Sequence, residues 1–178
     1  MERGGIAKVK QYPLGDDDIR KLLGDDIAIH TYPQLAEMRS IKELFDDKGR
    51  AILLFPNASP TMGHWCCLMN KTNGIEFFDP SGEAPEDQKE GLSKSRLEQL
   101  NIDRPTLTAL LKASGRPVFY NTHQFQQDKG SIATCGRHCA VRLFYAPYSL
   151  DKYNAIIKSS GLSPDDFVAG VTYDKLRK

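Results

Sequence analysis

Between Ala51 and Asp79 the chain runs through three apolar segments separated by turn-forming residues, and this pattern constrains the fold more than any other stretch. Ala51 to Phe55 is continuously apolar, Pro56 to Gly63 reads as a loop with two prolines, and His64 to Asn70 is apolar again. Unbroken apolar runs of this length suit strands covered on both faces. Lys71-Thr72-Asn73-Gly74 then signals a turn, because Asn-Gly tolerates the positive φ of a tight hairpin. Residues 64–70 and 75–79 are therefore predicted to pair antiparallel, which sets His64 and Asp79 on neighbouring strands.

Helical signals surround this hairpin. Asp16-Asp17-Asp18 places acids in a first turn ahead of Ile19, Leu22 and Leu23, predicting a helix over 16–23. Ile27-Ala28-Ile29 reads as a short extended piece. Leu35, Met38, Ile41, Leu44 and Phe45 recur every three or four residues, the spacing of one amphipathic helix that ends by Gly49. Residues 81–94 are polar and read as a surface loop or exposed helical segment. Leu97, Leu100, Leu107, Leu110 and Leu111 mark one or two helices around Pro105, and Val118-Phe119-Tyr120 another strand. After a polar, glutamine-rich stretch, Cys139, Val141, Leu143 and Phe144 predict a helix from about 135 to 146, stopped by Pro147. A last helix is expected over 150–159, closed at Gly161. The fold class is α+β, a central sheet flanked by helices, in a single domain spanning 1–178 whose first 13 residues are expected to be flexible.

A chain of 178 residues that is 40% hydrophobic can bury one core. Its 24 lysines and arginines against 23 acids leave a net charge of +1, so nothing in the overall charge indicates a nucleic-acid partner. No run approaches the roughly 20 apolar residues of a membrane helix, and the N-terminus lacks the pattern of a signal peptide, so the expectation is a soluble, cytoplasmic protein with no membrane partner. The four cysteines, Cys66, Cys67, Cys135 and Cys139, lie in apolar contexts and read as reduced thiols. Adjacent Cys66 and Cys67 on a strand would point to opposite faces, which disfavours a zinc site, and no metal is expected.

The chemistry concentrates in Thr134-Cys135-Gly136, at the predicted start of an apolar helix. A thiol ionises more readily at a helix N-terminus beside an imidazolium. Gly136 adds no side chain that would obstruct a substrate carbonyl, and the backbone N–H groups of that turn can approach a developing oxyanion. His64 can serve as base, and Asp79 on the paired strand can hold its ring through one nitrogen while the other meets the thiol. A side-chain amide from the Gln124–Gln127 cluster could add an oxyanion donor.

The ordered set Gly63-His64-Trp65, Phe78-Asp79-Pro80, Phe125-Gln126 and Thr134-Cys135-Gly136 resembles the adenain and ubiquitin-like-protease superfamily, over about residues 14 to 160. The resemblance implies a papain-like α+β fold with permuted connectivity and a mostly antiparallel sheet. It also implies His64 as general base and acid, Asp79 as its orienter, Gln126 as oxyanion donor and Cys135 as nucleophile. Gln127 stands beside Gln126 as the alternative donor, and Phe125 favours Gln126, because an apolar residue usually precedes the family glutamine. Trp65 matches the tryptophan that covers a narrow substrate groove, with Gly136 beside it. Trp65 is also the only tryptophan, and SUMO-specific members usually have a second.

The expectation is thus a cofactor-free cysteine peptidase, a thiol hydrolase cutting peptide or isopeptide bonds after small residues such as Gly-Gly. The Cys-Gly-Arg-His-Cys wording looks most like viral members, implying a monomeric protease that processes a viral polyprotein in the host cytoplasm or the virion. One alternative is a deubiquitinase or ubiquitin-like-modifier deconjugase acting on host proteins. Another is an inactive binding module of the same fold.

Overall fold

A computed structural model describes residues 3–177 and centres on a five-stranded sheet in the order β1-β2-β3-β4-β5. The strands are β1 (Ala28–Thr31), β2 (Arg50–Ser59), β3 (Met62–Lys71), β4 (Gly74–Phe78) and β5 (Val118–Tyr120). The fold is α+β, but the sheet is mixed where a mostly antiparallel one was expected. β2, β3 and β4 form an antiparallel meander, while β1 on β2 and β5 on β4 are parallel. Each parallel strand is reached by a crossover, as parallel pairing requires. Residues 32–49 carry the first, and residues 79–117 carry the second.

The three apolar runs alternate between the two faces of the sheet. Ile52, Leu54, Trp65, Cys67, Met69 and Phe78 join one core, whereas Ala51, Leu53, Phe55, Cys66, Leu68 and Phe77 join the other. Both faces are covered, so no polar alternation shows in the sequence. The first core packs under α2 (Asp16–Leu23), α5 (Cys135–Phe144), α6 (Leu150–Ser159) and α7 (Pro164–Leu176). The second packs under α3 (Lys94–Gln99), α4 (Thr106–Ala113) and two 3-10 turns.

Those 3-10 turns, Tyr32–Glu37 and Ile41–Leu44, replace the single amphipathic helix expected over 35–45. Apolar residues three apart serve a 3-10 turn as well as an α-helix. Ser40 breaks the run, its hydroxyl accepting the Lys42 N–H as the second turn begins. The expected loop 56–63 is also shorter, because β2 continues to Ser59 and β3 starts at Met62, with an irregularity between Pro56 and Ser59. The hairpin turn falls on Thr72 and Asn73, with Lys71 and Gly74 paired across it.

Two helices were not anticipated. α1 (Arg3–Gln11) occupies most of the segment expected to be flexible and packs on α7. Its carbonyl at Lys10 accepts the Ala133 N–H at 2.8 Å, and the Lys10 ammonium lies 2.8 Å from Asp166. α7 itself starts at Ser163-Pro164, with the Ser163 hydroxyl capping the Asp166 N–H.

A buried ion pair fastens α5 to the sheet. Arg142, fully buried, donates from Nε and Nη2 to the two carboxylate oxygens of Glu76 at 2.8 and 2.9 Å. Its remaining donors satisfy the Tyr145 and Tyr148 carbonyls at 2.7 Å each, just past the end of the helix. Every charge is matched in place, which is the condition under which such a pair is tolerable in a core. No described helix is long and apolar enough to cross a membrane.

Candidate active site

β3 and β4 lead His64 and Asp79 to the same end of the sheet. Gly63, opposite Pro56, lies so close to β2 that a Cβ would stand 1.9 Å from the Phe55 carbonyl oxygen, so only glycine allows this approach immediately before His64. Asp79 follows the last residue of β4 and is fully buried. His64 Nε2 and Asp79 Oδ1 are 2.8 Å apart. With that nitrogen donating to the carboxylate, Nδ1 is left for a second partner.

The group it meets is Cys135, the first residue of α5, whose thiol and the His64 ring lie close enough to shift one another's ionisation. Burial opposes charge on the ring, but hydrogen bonds to Asp79 and Cys135 and the charges of both raise its pKa from 6.5 to about 10. Burial likewise pushes the Cys135 thiol up, and it is outweighed by the His64 hydrogen bond and charge, with help from the Trp65 and Gly136 backbone, so the thiol is lowered. Both shifts favour the thiolate and imidazolium forms, the reactive state of a cysteine nucleophile. The other three thiols are buried and free, and burial drives those of Cys66 and Cys139 well up.

Asp79 is held by more than the histidine. The Ser81 N–H donates to Oδ1 at 2.7 Å, and the side-chain amide of Gln88 donates to Oδ2 at 2.6 Å. The same amide also donates to Glu83. Asn121 secures the backbone, its Oδ1 accepting the Asp79 N–H at 2.9 Å and its amide donating to the Asp79 carbonyl at 2.6 Å. Gln88 lies in the stretch read as a polar surface segment, and no local pattern announces it. Cys66 brings its sulfur within 4.8 Å of the His64 and Asp79 donor atoms, the one described grouping that could hold a metal. Both Asp79 oxygens are already engaged by the hydrogen bonds just given.

The glutamine segment is tied to the same place. Phe125 and Gln126 both donate their backbone N–H to the Pro80 carbonyl, at 2.8 and 2.9 Å. Phe125 is buried, packing on Phe78 and Tyr153, and His123 stacks edge-on against it. The Gln126 side-chain oxygen is buried with no hydrogen-bond partner among the described residues. Two clefts flank this segment, a polar one of about 290 Å³ towards Ser81 and Glu83 and a mixed one of about 590 Å³ towards α6.

Trp65 and Gly136 meet beside Cys135. A Cβ on Gly136 would stand 3.1 Å from Leu14 and 3.2 Å from Trp65 Cδ1, so any side chain there would press on both. Trp65 is buried and donates its indole N–H to the Leu14 carbonyl at 2.9 Å. The N-terminal segment thus forms one wall beside Cys135. His138, one turn along α5, is fully buried and bonded to Asp165 on the unanticipated α7.

His64, Asp79 and Cys135 therefore come together, with Trp65 and Gly136 against them and Gln126 anchored to the residue that follows the acid. No known family profile matches the sequence. It is 32% identical over 164 residues to "Uncharacterized protein V9" of Sputnik virophage, an alignment covering 89% of this chain and 93% of the relative.

Proposed function

We propose that this chain, which belongs to the family of the Sputnik virophage protein V9, is a cysteine endopeptidase of the adenain and ubiquitin-like-protease type with a papain-like, permuted fold. The observation that carries the reading is His64 placed between a buried carboxylate at 2.8 Å and a thiol at the start of a ten-residue helix. The Cys135 thiolate attacks the carbonyl carbon, and the π electrons move to oxygen. The donors assigned to that oxyanion are the Cys135 backbone N–H at the helix start and the Gln126 amide. His64 gives its Nδ1 proton to the leaving amine, which departs as the thioester forms. Water, deprotonated by His64, then hydrolyses the thioester and restores the thiolate. Asp79 keeps the ring oriented throughout without taking the proton.

Small residues before the cleaved bond fit the tight contact of Trp65, Gly136 and Leu14. The viral relative favours processing of a viral polyprotein. Removal of ubiquitin or a similar modifier is the second reading, since its Gly-Gly end meets the same steric demand. Wild type and Cys135→Ala are to be incubated with Gly-Gly-containing peptides and with ubiquitin and SUMO bearing a C-terminal electrophile. Peptide cleavage lost in the variant supports a maturation protease. A Cys135-dependent mass shift with ubiquitin supports the deconjugase. Cleavage retained by Cys135→Ala would sink the assignment, and a reactive Cys135 with no turnover of any substrate would favour a binding module.

A further inference from the structure

A second buried histidine–carboxylate pair lies behind the nucleophile helix and takes no part in the reaction outlined above. Asp165, the second residue of α7, is 1% exposed. Its Oδ1 accepts the Thr134 hydroxyl at 2.5 Å and His138 Nε2 at 3.0 Å, and its Oδ2 accepts the Gln127 backbone N–H at 3.0 Å. These donors come from three places with a common neighbour. Thr134 precedes the nucleophile, Gln127 follows the oxyanion glutamine, and His138 sits one turn into α5.

We propose that Asp165 is a positioning residue for the peptidase reaction: by holding Gln127 on one oxygen and Thr134 on the other, it fixes the oxyanion-donating Gln126 relative to the Cys135 sulfur. The inference rests on the peptidase reading. Pro80 anchors the glutamine segment from the side of the acid, and Asp165 anchors it from the side of the thiol. Residues 127–133 contain no helix or strand, and the bond from the Ala133 N–H to the Lys10 carbonyl ties this length of chain to α1, away from the glutamine. A shift of about an ångström at such a place is enough to cost catalysis heavily.

The protonation states suit this task. Burial raises the Asp165 carboxyl, but hydrogen bonds from His138, Thr134 and Gln127 outweigh it and hold the group lowered, ready to accept at both oxygens. Burial lowers His138, so the ring is neutral and donates through Nε2. Asp165 also stands in the first turn of α7, where a negative charge is favoured.

The test combines Asp165→Asn, Thr134→Val and Thr134→Ser, with peptide turnover and the pH dependence of Cys135 alkylation by iodoacetamide as separate readouts. An asparagine keeps a single acceptor oxygen and so releases one of the two anchors. Both Asp165→Asn and Thr134→Val are expected to lower kcat by about 10- to 100-fold with KM nearly unchanged, the mark of a loss confined to the transition state. Alkylation keeps its wild-type rate and profile, because His64 and Asp79 are untouched. Thr134→Ser retains the hydroxyl and restores turnover. Should Asp165→Asn fail to fold, Thr134→Val carries the test alone. Wild-type kcat in the folded variants overturns the proposal, as does a parallel fall in turnover and alkylation, which would mark general loosening of the site. A wild-type enzyme that is alkylated yet turns over nothing instead refutes the peptidase reading, and the proposal with it.

Discussion

Gln88 donates its side-chain amide to Asp79 at 2.6 Å, on the carboxylate oxygen that does not face His64. The bond fixes the plane of the carboxylate, and so the ring it orients. Gln88→Ala is expected to lower kcat by about tenfold, a fraction of what loss of the acid itself costs, with alkylation of Cys135 slowed in step. Gln88→Glu would set a second negative charge against Asp79 and is expected to be worse. Equal turnover by all three proteins would show that Ser81 and Asn121 suffice to hold Asp79.

The two adjacent glutamines separate by their anchors. Gln126 is tied to Pro80, with its side chain partly enclosed, whereas Gln127 uses its backbone on Asp165. Gln126→Ala is expected to reduce kcat by about 10²- to 10³-fold, the usual cost of one oxyanion donor. Gln127→Ala keeps its backbone bond and is expected to stay near wild type. A reversed order in measured kcat would reassign the donor.

The His64 and Cys135 shifts set the pH profile. His64 stays protonated up to about 10, while Cys135 loses its proton below its ordinary 9.0. Activity therefore rises as pH climbs through the lowered thiol value and falls as it passes about 10. The stability linkage has the same upper edge. Because the folded ring holds its proton more tightly than the unfolded one, its contribution is complete below 6.5 and is lost as pH rises through about 10. In Cys135→Ala the thiolate is gone, and the imidazole signals in NMR should titrate lower than in wild type. A basic limb near 6.5 in the native enzyme would contradict the ion pair.

Arg142→Ala would leave the Glu76 carboxylate to Lys71 and remove the guanidinium from Glu76 and from the Tyr145 and Tyr148 carbonyls. Urea unfolding is expected to show a loss of about 3–5 kcal/mol, the cost of breaking a buried pair by removing one partner. Replacing both partners with apolar residues of similar volume should recover much of it. A single variant as stable as wild type would mean that Lys71, 2.7 Å from Glu76, suffices to hold the carboxylate.

The meander, α5 and the convergence of His64, Asp79 and Cys135 were legible because local signals coincide: apolar runs, one turn motif and a cysteine heading an apolar helix. α7 was missed for a physical reason. Its buried positions are Asp165, Val168, Ala169 and Thr172, a helical stripe whose ends are polar, so hydrophobic periodicity underweights it. The start signal Ser163-Pro164-Asp165-Asp166 was nonetheless present. Residues 35–45 misled in the opposite sense, since apolar spacing alone does not distinguish an α-helix from successive 3-10 turns. Gln88 was illegible altogether, because its role depends on where a long crossover folds back onto β4.

Cys66 and Cys67 are consecutive in the chain yet face different cores, and both are sealed from solvent. The protein thereby carries an internal record of its own opening. Under graded denaturation, a thiol label that reaches Cys66 first reports the loosening of the layer under α3 and α4. One that reaches Cys67 and Cys139 first reports release of α5, the helix that begins at Cys135. Peptide mapping of two neighbouring residues can thus establish whether the two halves of this molecule come apart together or in turn.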